Sequence, residues 1–186
     1  MRSGIRLAES IKGVTHLFTV REITEHDVPR VVDVIRAAFE EYRGRLDPPS
    51  SAHHKTAEIV RRELANGGAF VACDPQAIVG CVFYHIFSNH LYLDRLAVLP
   101  SHRGQGIAQV LIWSVEERAR QHSLGEVWLS VRLPLEGHQA YYERLGYTFL
   151  SYGTHPGHTS PTFVTLRKQL ESVCAEELSE GRKGGG

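Results

Sequence analysis

The chain reads as an α+β protein, close to α/β in organisation, with a mixed central sheet of about six to seven strands flanked by about four helices. Three observations predict this. Apolar periodicity runs in the order strand, two helices, three strands, helix, strand, helix, two strands. A glycine-bearing loop at residues 103–108 joins a strand to a helix. A whole helix separates the strands near 91–99 and 127–132, which makes them parallel neighbours in a right-handed crossover, whereas the strands just before are close enough in sequence to form a meander.

Composition narrows the class. With 186 residues, 42% of them hydrophobic, the chain is long enough for one soluble domain with a sizeable core. Lys plus Arg (21) equals Asp plus Glu (21), so no global basic field recruits nucleic acid or an anionic membrane. Cys73, Cys81 and Cys174 are odd in number and lack metal-ligand spacing, which predicts no metal site and free thiols suited to a reducing, cytoplasmic setting. Residues 1–15 read as a loose leader without a signal peptide's apolar core, and no later run is long and apolar enough to span a bilayer. One domain is expected over 16–170, followed by a charged, glycine-ended, disordered tail over 171–186.

Taken in order, residues 16–23 alternate apolar and polar and predict a first strand. Asp27 is placed to cap a helix whose apolar face is Val28, Val31, Val32, Ile35, Ala38, Phe39 and Tyr42, with Pro29 tolerated in its first turn. A second helix over about 51–65 has a weaker stripe (Ala57, Val60, Leu64) and stops at Asn66-Gly67-Gly68. Residues 69–73, 78–87 and 91–99 are the meander strands. Ile107, Val110, Leu111, Ser114, Val115 and Ala119 then recur at helical spacing. Val127, Leu129 and Val131 alternate with Trp128, Ser130 and Arg132 as a strand. A short helix over about 137–145 ends at Gly146, and 147–152 with 162–166 close the sheet as a hairpin.

The chemistry concentrates at Arg103-Gly104-Gln105-Gly106-Ile107-Ala108. The first turn of a helix has N–H groups without intrahelical partners, and the macrodipole adds positive potential, so an anion is favoured there. Gly104 and Gly106 let the main chain approach such an anion, and Arg103 can add a charge-assisted contact. A lone Gly-x-Gly is more often a tight turn before an ordinary helix. The spacing fits neither Gly-x-x-x-x-Gly-Lys-Ser/Thr nor Gly-x-Gly-x-x-Gly.

What the hexapeptide resembles is the Arg/Gln-x-x-Gly-x-Gly/Ala signature of the GNAT superfamily of CoA-dependent N-acetyltransferases, with Arg103, Gly106 and Ala108 in the matching positions after Leu96-Ala97-Val98-Leu99-Pro100. Ala140-Tyr141-Tyr142-Glu143-Arg144-Leu145-Gly146-Tyr147 resembles in part the family's Ala-x-x-x-Tyr-Glu-x-Leu-Gly-Phe/Tyr helix, although the Asn that often opens it is absent near Leu135 and Glu136. The resemblance spans roughly 18–168 and is specific over 91–149.

That resemblance implies acetyl-CoA as co-substrate, its pyrophosphate on the loop from Arg103 through Gly104, Gln105, Gly106 and Ile107 to Ala108. It implies that the main chain of Leu96, Ala97 and Val98 pairs with the pantetheine amides where two parallel strands splay. The implied reaction moves an acetyl group directly to a primary amine of a small molecule or peptide. It implies Tyr142 as the acid that meets the departing thiolate, with Tyr141 its neighbour and competitor. Asp94, two residues before Leu96, is the candidate base, acting directly or through water, or else a structural partner of Arg95. His85, His90, His155 and His158 are secondary candidates, the last two for the acceptor pocket. A homodimer is compatible with this reading. The second hypothesis is an acyl-CoA-binding sensor or partner module that does not turn over, and the third is a non-CoA phosphate binder.

Overall fold

The structure, a computed structural model, describes residues 18–171, so the expected leader and almost all of the expected tail lie outside the described residues. A seven-stranded mixed sheet runs β1-β2-β3-β4-β5-β7-β6, with β1 Thr19–Glu22, β2 Gly67–Cys73, β3 Ile78–Ile86, β4 Leu91–Val98, β5 Glu126–Arg132, β6 Thr148–Gly153 and β7 Phe163–Gln169. Four α-helices cover it: α1 Val28–Phe39, α2 Ala57–Ala65, α3 Ile107–Gln121 and α4 His138–Arg144. The α+β organisation expected from the periodicity is present.

Each face of the sheet has its own core. The stripe Val28, Val31, Ile35 and Ala38 of α1 packs on Val71, Cys81, Phe83 and Ala97. Ile107, Val110, Leu111 and Val115 of α3 pack on the opposite face, against Val79, Val82, Leu93 and Leu129. Successive strand side chains point to opposite faces, so the sets alternate over Val71-Ala72 and Cys81-Val82-Phe83, and the register shift between Leu93 and Ala97 changes the parity of β4. Gly80 keeps α3 close: a Cβ there would sit 3.1 Å from the Ala97 carbonyl oxygen and 3.2 Å from Ile107 Cγ2. The beginning of α3 is therefore seated directly over β3 and β4.

Two local expectations are corrected. Asp27 does not cap α1. Its carboxylate accepts from the Thr24 N–H and hydroxyl, each at 2.7 Å, and from Arg21 at 2.6 and 2.8 Å, closing the turn before the helix. The Arg21 guanidinium and the Thr24 donors outweigh partial burial and hold that carboxyl well below the usual carboxylate range. The second helix begins only at Ala57, because the Thr56 hydroxyl accepts the Ile59 N–H at 3.2 Å and Ser51–His54 form a separate 3-10 turn. The expected closing hairpin is present as antiparallel β6 and β7, with β7 between β5 and β6 and β6 at the edge.

The feature that makes a site is a split in the middle of the sheet. β4 and β5 are parallel neighbours, as the crossover predicts, but pair only from Leu91 with Val127 to Leu93 with Leu129. Beyond that point each strand follows a different partner. β5 stays with β7 as far as Arg132 opposite Phe163, whereas β4 stays with β3 through Ala97 and Val98. The register of β4 against β3 shifts between Asp94 and Ala97, and Arg95 adopts a φ of 50°. Such a bulge bends and twists its strand, turning β4 away from β5.

Candidate active site

The split opens into a cleft of about 740 Å³. Leu93 and Asp94 through Val98 of β4 form one wall, and Leu129 through Arg132 of β5 form the other. Phe39, Tyr42 and the 46–51 loop close one side of the sheet, while Tyr141 and Tyr142 of α4 close the other. The outer edge of β4 past Leu93 has no strand partner toward β5. Main-chain N–H and C=O groups left this way require partners, so Leu96, Ala97 and Val98 present a ready edge to an extended amide-bearing ligand.

The glycine loop lies at one end. Gly104 and Gly106 have φ of 73° and 81°, in the left-handed region that side chains resist, and a Cβ on either would meet nothing within 4 Å. The first intrahelical bond of α3 runs from the Val110 N–H to the Gly106 carbonyl at 3.1 Å, so the N–H groups of Ile107, Ala108 and Gln109 precede it. Ala108 and Arg103 line the cleft, whereas the Ile107 side chain is buried in the core and Gln105 donates to the Ser101 carbonyl at 3.5 Å. The loop thus combines open space, left-handed backbone and a helix start, which fits a phosphate-bearing cofactor.

Arg103 is otherwise engaged than the sequence suggests. Its guanidinium donates to the carbonyls of Val98 at 3.3 Å and Ala38 at 2.9 Å and pairs with Glu41 at 2.6 Å. These bonds tie the loop to β4 and to the end of α1. The residue acts here as a brace for the loop.

Tyr142 lies deep beside the split, its ring edge-on to Tyr141 at 5.3 Å and to Tyr147 at 5.8 Å. Burial, reinforced by the neighbouring phenols of Tyr141, Tyr42 and Tyr92, raises its pKa far above that of a free tyrosine. The hydroxyl therefore stays protonated and available as a donor. Tyr141 also lines the cleft and is raised by burial, but it is the shallower of the two. Beneath them Tyr147 donates to Glu116 at 3.1 Å, and Lys168 pairs with the same carboxylate at 2.9 Å, tying α3 to β7 and to the residue that leads out of α4 into β6.

Asp94 sits on the wall of the split with its carboxylate 3.7 Å from His85 Nε2. Burial pushes its pKa up, but His85, Arg95 and Lys55 together outweigh burial and leave it below the usual carboxylate value. His85 is raised in turn, chiefly by its pairing with the Asp94 carboxylate. His90 is stacked on Trp128 with centroids 3.9 Å apart and does not line the cleft. Of the two loop histidines, His155 reaches the cleft, fixed to the Thr162 hydroxyl at 2.5 Å, while His158 faces Asp47 at 3.8 Å outside it.

Several lining residues were not singled out as site residues from the sequence: Phe39, Tyr42, Tyr92, Arg95, Arg132 and His138. His138 faces the Tyr42 hydroxyl at 3.3 Å, and burial lowers its pKa. Tyr92, Ser130 and Arg132 carry one usable signal, for they are the positions that alternate with the core face of β4 and β5. Among the described residues, no cluster of His, Cys, Asp or Glu could hold a metal ion, and no helix is long and apolar enough to cross a membrane.

The chain resembles known acetyltransferases in sequence and in fold. The family model for the acetyltransferase (GNAT) family matches residues 31–147. A streptothricin acetyltransferase from Streptomyces lavendulae is 28% identical over 151 residues, covering 76% of this chain and 77% of its own. The crystal structure of the PaiA N-acetyltransferase from Thermoplasma acidophilum in complex with coenzyme A superposes with a TM-score of 0.71 at 17% identity, covering 82% of this chain and 99% of that one. The ribosomal-protein-S18-alanine N-acetyltransferase from Escherichia coli gives a TM-score of 0.67 at 16% identity, covering 87% and 99%. At such identities the structural likeness is one of fold.

Proposed function

The chain belongs to the GNAT acetyltransferase family, and from that premise we propose that it transfers an acetyl group from acetyl-CoA directly to a primary amine of a small molecule or peptide. The observation that carries this reading is the split between β4 and β5, with the glycine loop at one end and Tyr142 beside it. Bound acetyl-CoA would supply a thioester-activated acyl group. The loop from Arg103 through Gly104, Gln105, Gly106 and Ile107 to Ala108 would hold its phosphates by main-chain N–H groups, with Arg103 bracing the loop. Leu96, Ala97 and Val98 would pair with its amide-bearing arm and exclude water from the split.

Tyr142 then meets the sulfur. A CoA-type thiol has an unperturbed pKa of about 8.5, so a phenol held protonated by burial serves best as a hydrogen-bond donor to the departing thiolate. On the acceptor side, an alkylammonium with a pKa near ~10 must lose its proton before it attacks. Asp94 is the group on the wall placed to receive it. Held below the usual carboxylate value, Asp94 would keep the proton only in passing, taking it from the ammonium through a bridging water and returning it to bulk solvent, with His85 paired behind it.

Asp94→Asn is therefore expected to lower turnover at neutral pH while leaving acetyl-CoA affinity near normal. The deficit should shrink as pH approaches the amine's own pKa, because free amine no longer needs a base. A pH–rate profile of the two proteins checks this, and an unchanged neutral-pH rate would assign Asp94 a structural role with His85. The reaction itself is tested by thiol release and acetylated product over a panel of amines with acetyl-CoA. Binding without any acetylated product would favour a non-catalytic acyl-CoA-binding module of the same fold.

A further inference from the structure

Among the residues lining the cleft, Asp94 is the one carboxylate, set against the guanidiniums of Arg95, Arg103 and Arg132. Arg103 is neutralised by Glu41 at 2.6 Å. The other two are not. Arg95, on the β4 bulge, donates to the Ser51 hydroxyl at 3.0 Å and lies over the Phe39 ring at 5.7 Å. Arg132, at the end of β5, donates to the Pro48 carbonyl at 2.7 Å. Among the described residues neither forms an ion pair, and the Nε of each is buried without a hydrogen-bond partner. Asp94, the nearest carboxylate in sequence to Arg95, faces His85 instead.

A half-buried guanidinium that meets only neutral oxygens gives up hydration without regaining it from a counter-charge, and an unpaired buried donor adds to that cost. Each side chain has five N–H donors in a planar fork, and the bonds to Ser51 and Pro48 use one apiece. The two stand on opposite strands of the split, one on each wall. Both reach to the 48–51 loop, on the side of the sheet that carries Asp94. Burial also pulls the Arg132 guanidinium below its usual value, with Asp47 opposing, as befits a cation without a contact partner.

We propose that the amine acceptor carries a carboxylate, which Arg95 and Arg132 grip from the two walls of the split while its amino group faces Asp94. The guanidinium fork matches a carboxylate's two oxygens, and charge-assisted contacts of this kind are the strong ones. This rests on the acetyltransfer reading and narrows its acceptor to amino acids or other amines bearing an acid group. The alternative role for the two arginines is a clamp that merely holds the 48–51 loop.

Matched substrates separate these roles. With saturating acetyl-CoA, kcat/KM is measured for α-amino acids, 3-aminopropionate, 4-aminobutyrate and 6-aminohexanoate, each beside its carboxamide and its decarboxylated amine. At least one acid should exceed its neutral partners by about tenfold or more. In Arg132→Gln and Arg95→Gln that preference should collapse, the acid losing at least about tenfold more than its neutral partners whatever the variant does to the common rate. Arg132→Lys should keep part of it, since charge remains but the fork is gone. The preference is a ratio within one protein, so a partly destabilised variant still reports it. Equal rates for acids and carboxamides in the wild type would overturn the carboxylate site and leave acetyltransfer standing, as would equal loss on both in the variants. If acetyl-CoA binds but no amine of the panel is acetylated, the acetyltransfer reading falls and the acceptor site falls with it.

Discussion

Tyr142→Phe is expected to cut turnover by about 10² to 10⁴, the usual contribution of a positioned acid, with acetyl-CoA affinity close to wild type. Removing only the hydroxyl keeps the ring against Tyr141 and Tyr147, so the helix and its packing survive. Loss confined to kcat, and to kcat/KM in proportion, marks an interaction made in the transition state. The neighbouring Tyr141→Phe should cost far less, because its hydroxyl lies shallower in the cleft. Steady-state kinetics of the two variants decide between them. A reversed ranking would move the acid role to Tyr141.

Gly106→Val is expected to weaken acetyl-CoA binding by at least about tenfold, with a stability cost of about 1–2 kcal/mol from a β-branched residue in the left-handed region. The two effects have different causes. A Cβ at Gly106 touches no protein atom within 4 Å, so it projects into the open space where a phosphate would lie and reports on the ligand. Gly44→Val supplies the control, since Gly44 has a φ of 72° and is equally unobstructed but lies in the loop after α1. It should lose similar stability and keep acetyl-CoA affinity. Equal affinity in a folded Gly106→Val protein would remove the phosphates from the glycine loop.

The fold was legible wherever one face of an element is buried. The valine stripe of α1, the Ile107 to Ala119 stripe of α3 and the alternation in β5 each write their period into the sequence, and the helix between β4 and β5 dictates their parallel pairing. Local competition was less legible. Thr56 captures the Ile59 N–H and starts α2 late, and Asp27 prefers Arg21 and Thr24 to the helix it precedes. Both outcomes hinge on which partner reaches a side chain first in space. Nor does periodicity say that β7 slides between β5 and β6.

The site divides the same way. The glycine loop, Tyr142 and Asp94 announce themselves by motif and by chemistry out of place, and the structure brings them around one cleft. The engagement of Arg103 by Ala38 and Glu41 depends on contacts about 65 residues apart and leaves no trace in the hexapeptide. Arg132 alternates with the core residues of β5, and alternation marks the side away from a core without saying whether water or a cleft lies there, whereas Arg95 falls on the core parity of β4 and reaches the cleft only through the bulge. The bulge at Arg95, which opens the split, follows a register shift against β3 that only the assembled sheet defines.

Every role assigned to these residues depends on acetyl-CoA lying in the split between β4 and β5. Hydrogen exchange with and without saturating acetyl-CoA reads that placement amide by amide. Protection is expected to rise at residues 96–98 and 103–109, the free edge of β4 and the start of α3, and to stay unchanged along β6 and β7 away from the cleft. Binding that leaves those two stretches unprotected, or that protects a different face of the sheet, would contradict it.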